Sequence, residues 1–293
     1  MKLSCSTFNY FGLTDVLSHG SVPNTPKPHC TFATSTTAFH LATKLNHCMT
    51  VDEAAIHFGI PDLRPAIWEF LQHVQDRSDH PVSGIRTLDA NPHLLFNQIQ
   101  IWCKVHVQNF PFHDKDNVDV PQTLRVLHPS PNHSHSLYDS VIMSPGSESN
   151  WPRLGLNGIT YTYELSCAVL TPMKGHFIVQ LQLIFHPLNM DYLVAYVQHF
   201  NIVSQQSSMH NVHPRMGMCL LRGATRSNGT RIGDVVPISN IQSAVHLIPN
   251  FGKEAHSRLS KQNCYEVLDE FWLNKYWSKE FYYAMNQLTT TTT

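Results

Sequence analysis

The chain has 293 residues, 42% of them apolar, enough to bury the core of one large domain or two modest ones. Charged residues make up only 14%, against roughly 25% in ordinary soluble proteins, and 20 Lys plus Arg nearly cancel 21 Asp plus Glu. That balance excludes a protein that grips nucleic acid through its overall field, and leaves such contact to a local basic patch. Seven cysteines, at positions 5, 30, 48, 103, 167, 219 and 264, contain no CxxC pair, which excludes a zinc ribbon or dithiol redox motif. The N-terminus lacks the apolar core of a signal peptide, and no apolar run approaches the roughly 20 residues that span a bilayer. The expectation is a soluble, intracellular protein with reduced thiols, in which the sequons at Asn132 and Asn228 are accidental.

In chain order, residues 1–48 read as an irregular segment, with prolines at 23, 26 and 28 and a Thr/Ser cluster at 31–37. Residues 49–95 read as a helical linker. Thr50 and Glu53 have capping-box spacing, and Gly59 stops the first helix. Asp62 is placed to cap a second, where Leu63, Ile67, Phe70, Leu71 and Val74 recur at helical spacing. That second helix carries Arg64 and Glu69 but little else to meet phosphates or base edges, so the pair predicts a packed αα-hairpin rather than a DNA-reading helix-turn-helix.

From Phe96 the period changes to two, opening a β-rich domain over 96–288. Strands are predicted at 96–108, 138–143, 176–186, 192–203, 216–221, 230–238 and 243–248, separated by turn signals such as Ser-Asn-Gly at 227–229. Their spacing predicts an antiparallel barrel or strongly bent sheet. Residues 263–287 predict C-terminal helices, opened by a capping box from Asn263 to Glu266, with Ser278 as a second cap. The seven aromatics from Phe271 to Tyr283 are too many for one face, so some pack on the sheet; core packing is the better reading, and an aromatic cage for a ligand is the unforced alternative. The threonines at 289–293 predict a disordered tail. The fold class is therefore α+β, mainly antiparallel β, with an N-terminal αα-hairpin and C-terminal helices.

The chemistry is sparse. No GxSxG elbow, GxxxxGK[ST] or GxGxxG is present. His128, His133 and His135 stand close together without a Cys or carboxylate to complete a metal shell, so a solvated Pro/Ser/His loop is the better reading. Acidic residues fall in caps (Glu53, Asp62, Glu266) or turns (Asp114, Asp116, Asp119), and no trio of them has the spacing of a metal site. The expectation is a non-enzyme with no metal, cofactor or small-molecule substrate. The most distinctive stretch is "RGATRSNGTRIGDVVP". Arg222, Arg226 and Arg231, with Lys253 and Arg258 downstream, are candidates to meet a phosphate backbone, around a turn made by Asn228 and Gly229. The competing reading is a hairpin whose exposed arginines keep a sheet edge soluble.

The phrases "WCKVHVQ", "PQTLRVLHPS", "YDSVIM", "WPRLGLNG", "HFIVQLQLIFHP", "YVQHFNIV", "LLRGATRSNGTRIGDVVPISNIQSAVHLIPNFG" and "EFWLNKYWSKEFYYAM" occur in that order. Together with "PKPHCTFATSTTAFHLATK" and "TVDEAAIHFGIPDL" upstream, they resemble a domain of unknown function. That domain stands at the C-terminal end of fungal Plavaka-type (Kyakuja/Dileera/Zisupton-like) transposable-element proteins. The resemblance implies that strand-transfer chemistry belongs to a transposase body upstream and that this chain is a non-catalytic accessory piece. It allows the nucleus as a compartment and implies DNA, a transposase or a chromatin protein as partner. A second reading is a chromatin-reader-like protein-interaction module without DNA binding. The chain departs from the family pattern at 158–174, "GITYTYELSCAVLTPMK", an insertion that is either an extra hairpin or a retained intron.

Overall fold

The computed structural model describes residues 30–33, 37–42, 45–75, 92–109, 120–129, 134–144, 176–188, 190, 193–203, 217–252, 259, 263–278 and 281–282. The N-terminal part of that set, expected to be irregular, is instead stranded. β1 (Cys30–Ala33) pairs antiparallel with β2 (Thr37–Leu41), and β3 (His47–Thr50) leads into the helices. Phe39 and Leu41 lie two residues apart and are buried, the period a strand needs to feed a core with one face.

Thr50 starts α1 (Val51–His57) through a complete capping box: its Oγ1 accepts from Glu53 N at 3.2 Å, and Glu53 Oε2 accepts from Thr50 N at 2.8 Å. α2 (Leu63–Gln75) follows after a short turn. Arg64 grips Asp52 with two parallel hydrogen bonds, Nε to Oδ1 at 2.8 Å and NH2 to Oδ2 at 2.7 Å, which ties the helices together. Val51, Ala54, Phe58, Leu63, Ile67, Phe70 and Leu71 bury one side of the pair against Leu183, Phe185, Val194, Tyr196 and Val235 of the sheet. Each fully buried Val, Leu, Ile or Phe among them contributes roughly 1.5–3 kcal/mol.

The alternating run at 96–108 is two strands. β4 (Gln98–Trp102) and β5 (Lys104–Asn109) are separated by Cys103, whose N–H donates to Asn46 Oδ1 at 2.8 Å. The break lets the chain change sheets: Ile99 and Ile101 belong to the core under the helices, while Trp102, Val105 and Val107 belong to a second core. β5 joins a five-stranded sheet of order β1-β2-β5-β6-β7, completed by β6 (Gln122–Leu127) and β7 (Leu137–Tyr138).

The larger sheet has ten strands. It adds β8 (Ser140–Met143), β9 (Phe177–Pro187), β10 (Val194–Ile202), β11 (Leu220–Gly223), β12 (Gly233–Pro237), β13 (Ile241–Val245), β14 (Leu247–Pro249) and β15 (Glu270–Leu273). Its main path runs β13-β8-β9-β10-β11-β15-β14, with β12 on β10 and β4 on β9. Only His246 separates β13 from β14, so the sheet curls until its two ends meet on one bent strand, a half-barrel. Ile178, Leu221, Val245, Leu247, Phe271 and Leu273 fill its interior. β9 is the spine. Tyr196 faces Leu183 and Val197 faces Leu181, which leaves Gln182 as a bulge and lets this strand feed more than one core.

Of the predicted C-terminal helices, the first is a single turn within the described residues. α3 (Cys264–Val267) is followed by β15, and a helical turn recurs at 281–282; the rest of 283–293 lies outside the described residues. Asn263 makes no side-chain cap bond, and Glu266 accepts from Ser136 N at 2.9 Å instead. The reason is period: Phe271 and Leu273 are buried while Trp272 between them is only partly so, a strand pattern that β11 and β14 fix by pairing on both edges. Ser278 Oγ accepts from Phe281 N at 3.0 Å, the cap geometry its position suggested.

Candidate functional site

The arginine loop is a tight β-turn projecting between β11 and β12. Gly229 N donates to Arg226 O at 2.9 Å, and Arg226 N donates to Thr230 O at 2.8 Å, with Thr225 and Arg231 bridged across the loop. Gly229 sits at φ +82°, where a side chain is strained. Asn228 Oδ1 accepts from Thr230 N (3.0 Å) and Thr230 Oγ1 (2.7 Å) and stiffens the tip. The base of the loop is bonded to β10, where Ala224 N donates to His199 O at 2.9 Å and His199 N to Ile232 O at 3.0 Å.

The three arginines are not a common face. Arg226 NH2 donates to Asp62 Oδ2 at 3.0 Å, and the other oxygen of that carboxylate accepts from Tyr196 Oη at 2.5 Å. Asp62 is 5% exposed, so the sheet, the loop and the start of α2 meet at one buried carboxylate. Arg222 is paired with Glu270 across the β11–β15 ladder, and its side chain is 57% exposed. Arg231 is turned inward: its guanidinium carbon lies 5.2 Å from the Phe200 ring centroid, NH2 reaches His199 O at 3.5 Å, and buried Nε has no partner. Burial lowers its pKa from the usual arginine value, opposed by the charges of Asp269 and Tyr196. Lys253 and Arg258 lie outside the described residues.

The histidine loop also separates. His128 lies against His57 (4.9 Å between ring centroids) and Phe58 (5.6 Å), while His135 Nδ1 stands 3.6 Å from Glu266; His133 is outside the described residues. Among the described residues, no group of three or more His, Cys, Asp and Glu is arranged to hold a metal. Burial raises the pKa of Cys103, Cys219 and Cys264 and so disfavours their thiolates. Tyr138 and Tyr265 are pushed up to about 12 by the same cause.

A second feature, at the end of β15, had only aromatic density as its signal in sequence. Asn274 organises a turn: its backbone N donates to His246 O, and its Oδ1 accepts from Tyr276 N at 3.1 Å. This turn presents Tyr276 (57% exposed) and Trp277 (51% exposed), with Phe251 also exposed after β14. Trp277 stacks on His246 with centroids 4.9 Å apart. Neither Tyr196 as partner of Asp62 nor Glu270 as partner of Arg222 had a local signal, since each contact joins segments far apart in the chain.

The fold and these two features define an α+β domain of mainly antiparallel strands, part of it curled into a half-barrel, with a pinned arginine loop and an exposed aromatic turn. The chain belongs to the family described as Domain of unknown function (DUF6830), whose model matches residues 11–166 and 170–219. The match spans most of the expected insertion at 158–174, which lies outside the described residues, and ends before the arginine loop. No curated protein and no solved structure matches the chain. No helix among the described residues is long and apolar enough to cross a membrane.

Proposed function

We propose that this chain is a non-catalytic interaction module of a transposable-element protein, and that it meets a protein partner rather than nucleic acid. The transposon origin rests on the ordered phrases from "WCKVHVQ" to "EFWLNKYWSKEFYYAM", and the partner is then a transposase or chromatin protein. The observation that carries the choice of partner is the use of the three arginines within the chain. Arg226 is bound by Asp62, Arg222 by Glu270, and Arg231 is folded under the loop. A cation already neutralised by a carboxylate offers little new phosphate neutralisation, so the arginine loop supports the sheet and the exposed aromatics supply the contact surface.

A salt titration tests this. Anisotropy of a labelled 20-base-pair duplex with the full chain is expected to show no binding at low salt, or weak binding that Arg222→Ala and Arg226→Gln leave unchanged. Tight binding with a steep log–log salt dependence, whose slope falls by about 1 for each arginine removed, returns the arginine loop to nucleic acid.

A further inference from the structure

The aromatic turn carries an ammonium contact. The rings of Tyr276 and Tyr282 stack with centroids 5.5 Å apart. Lys275 Nζ lies 5.2 Å from the Tyr276 centroid and 5.9 Å from that of Tyr282, both within the distance at which a cation feels the ring quadrupole. Among the described residues the other cation–π contact, Arg231 with Phe200, is built into the core beneath the arginine loop. The Lys275 contact differs in kind. It stands beside two half-exposed aromatics, Tyr276 and Trp277, and its cation comes from the residue next to Tyr276 on a long, rotatable stem.

Two stacked phenol rings attract a positive group more than an apolar one of equal size, because the quadrupole adds to the burial. A lysine tethered beside them reports which chemistry the rings accept, and it also competes with any outside cation in proportion to the time it is seated. We propose that Tyr276 and Tyr282 form a subsite for an alkylammonium side chain of a partner protein, a lysine or methylated lysine, which Lys275 occupies in the free chain. This deepens the interaction reading and rests on it.

The test uses the full chain and two probes of nearly equal shape, choline and its neutral carbon isostere 3,3-dimethylbutan-1-ol. Both are titrated while the ring resonances of Tyr276 and Tyr282 are followed by NMR, assigned through Tyr276→Leu and Tyr282→Leu. Choline is expected to shift both rings and to bind about tenfold more tightly than the alcohol. Lys275→Gln, which keeps the stem and removes the charge, is expected to tighten choline binding about three- to tenfold, and Lys275→Ala to do the same; Tyr276→Leu abolishes the shift. Equal binding of the two probes to Lys275→Gln overturns the ammonium assignment and leaves an apolar contact surface, so the interaction reading survives. No response of either probe with a folded Lys275→Gln chain removes the subsite altogether. Steep, arginine-dependent DNA binding defeats the interaction reading by itself, whatever choline does.

Discussion

Tyr196, near the start of β10, donates its hydroxyl to the buried carboxylate of Asp62 at 2.5 Å, across 134 residues of chain. Arg226 takes the other oxygen, so one carboxylate joins the helical hairpin, the central sheet and the arginine loop. Asp62→Ala leaves Arg226 and Tyr196 without this acceptor and is expected to destabilise the protein by about 3–5 kcal/mol in urea unfolding. Tyr196→Phe is expected to cost about 1–3 kcal/mol. A double-mutant cycle of Tyr196→Phe with Arg226→Met should show coupling above about 0.5 kcal/mol. Additive effects would show that the three groups do not act through Asp62.

Arg231 and Arg222 should both tolerate loss of charge, for different reasons. Arg231 is buried with Nε unbonded, so Arg231→Met keeps the packing on Phe200 and removes a poorly satisfied cation. Its stability is expected to stay within about 1 kcal/mol of the parent or to rise. Arg222→Ala breaks an exposed pair and is expected to cost below about 1 kcal/mol. A loss of 3 kcal/mol or more in Arg231→Met, read from the urea midpoint, would mean that the guanidinium is satisfied and holds the loop.

Two glycines separate backbone strain from steric contact. A Cβ on Gly229 meets nothing within 4 Å, so Gly229→Ala costs only the left-handed conformation, about 1–2 kcal/mol. A Cβ on Gly233 would lie 2.0 Å from Tyr196 Oη, the atom that holds Asp62. Gly233→Ala is therefore expected to cost more than Gly229→Ala and to abolish the Tyr196–Asp62 coupling. Thermal melts of the two variants rank them directly.

The rings of His47, His57 and His128 cluster where β3, α1 and β6 meet. The pKa values of His47 and His128 are lowered from 6.5, first by burial and then by the charge of His57. His106 is lowered by burial, then by Lys104 and His40. The folded chain thus binds fewer protons than the unfolded chain, and stability should fall as pH drops from 6.5 through these lowered values. Burial raises Asp139, which works in the opposite sense, so the comparison is made against His47→Asn/His128→Gln. The double variant should have a shallower decline between pH 7 and 5; an identical slope would clear the histidines. Asp52, lowered chiefly by its bond to Arg64, matters only below 3.8.

The legible parts of the fold were those written in local period or in turn chemistry. Thr50 and Glu53 specify a capping box because both partners lie within one helical turn. The stretches 192–203 and 176–186 read as strands because branched and aromatic residues crowd them. β2 was hidden because Phe39 and Leu41 follow a Pro/Thr/Ser stretch whose composition looks irregular. β15 read as a helix because Glu270, Trp272 and Lys275 suit one, and only pairing with β11 and β14 selects a strand. Gln180 and Gln182 are both buried and bonded to each other at 2.9 Å, in a strand whose bulge turns it between cores.

The sequence by itself determined an α+β chain with a two-residue period from Phe96, a Gly-bearing turn at 228–229 and a concentration of aromatics near its end, since each is set by neighbours a few residues apart. Only the tertiary structure decided that Asp62 answers Arg226, that Glu270 answers Arg222 and that Arg231 points inward. A charge carries no mark of its partner in the local chain, and pairing is settled by which distant segments the packed sheet brings together.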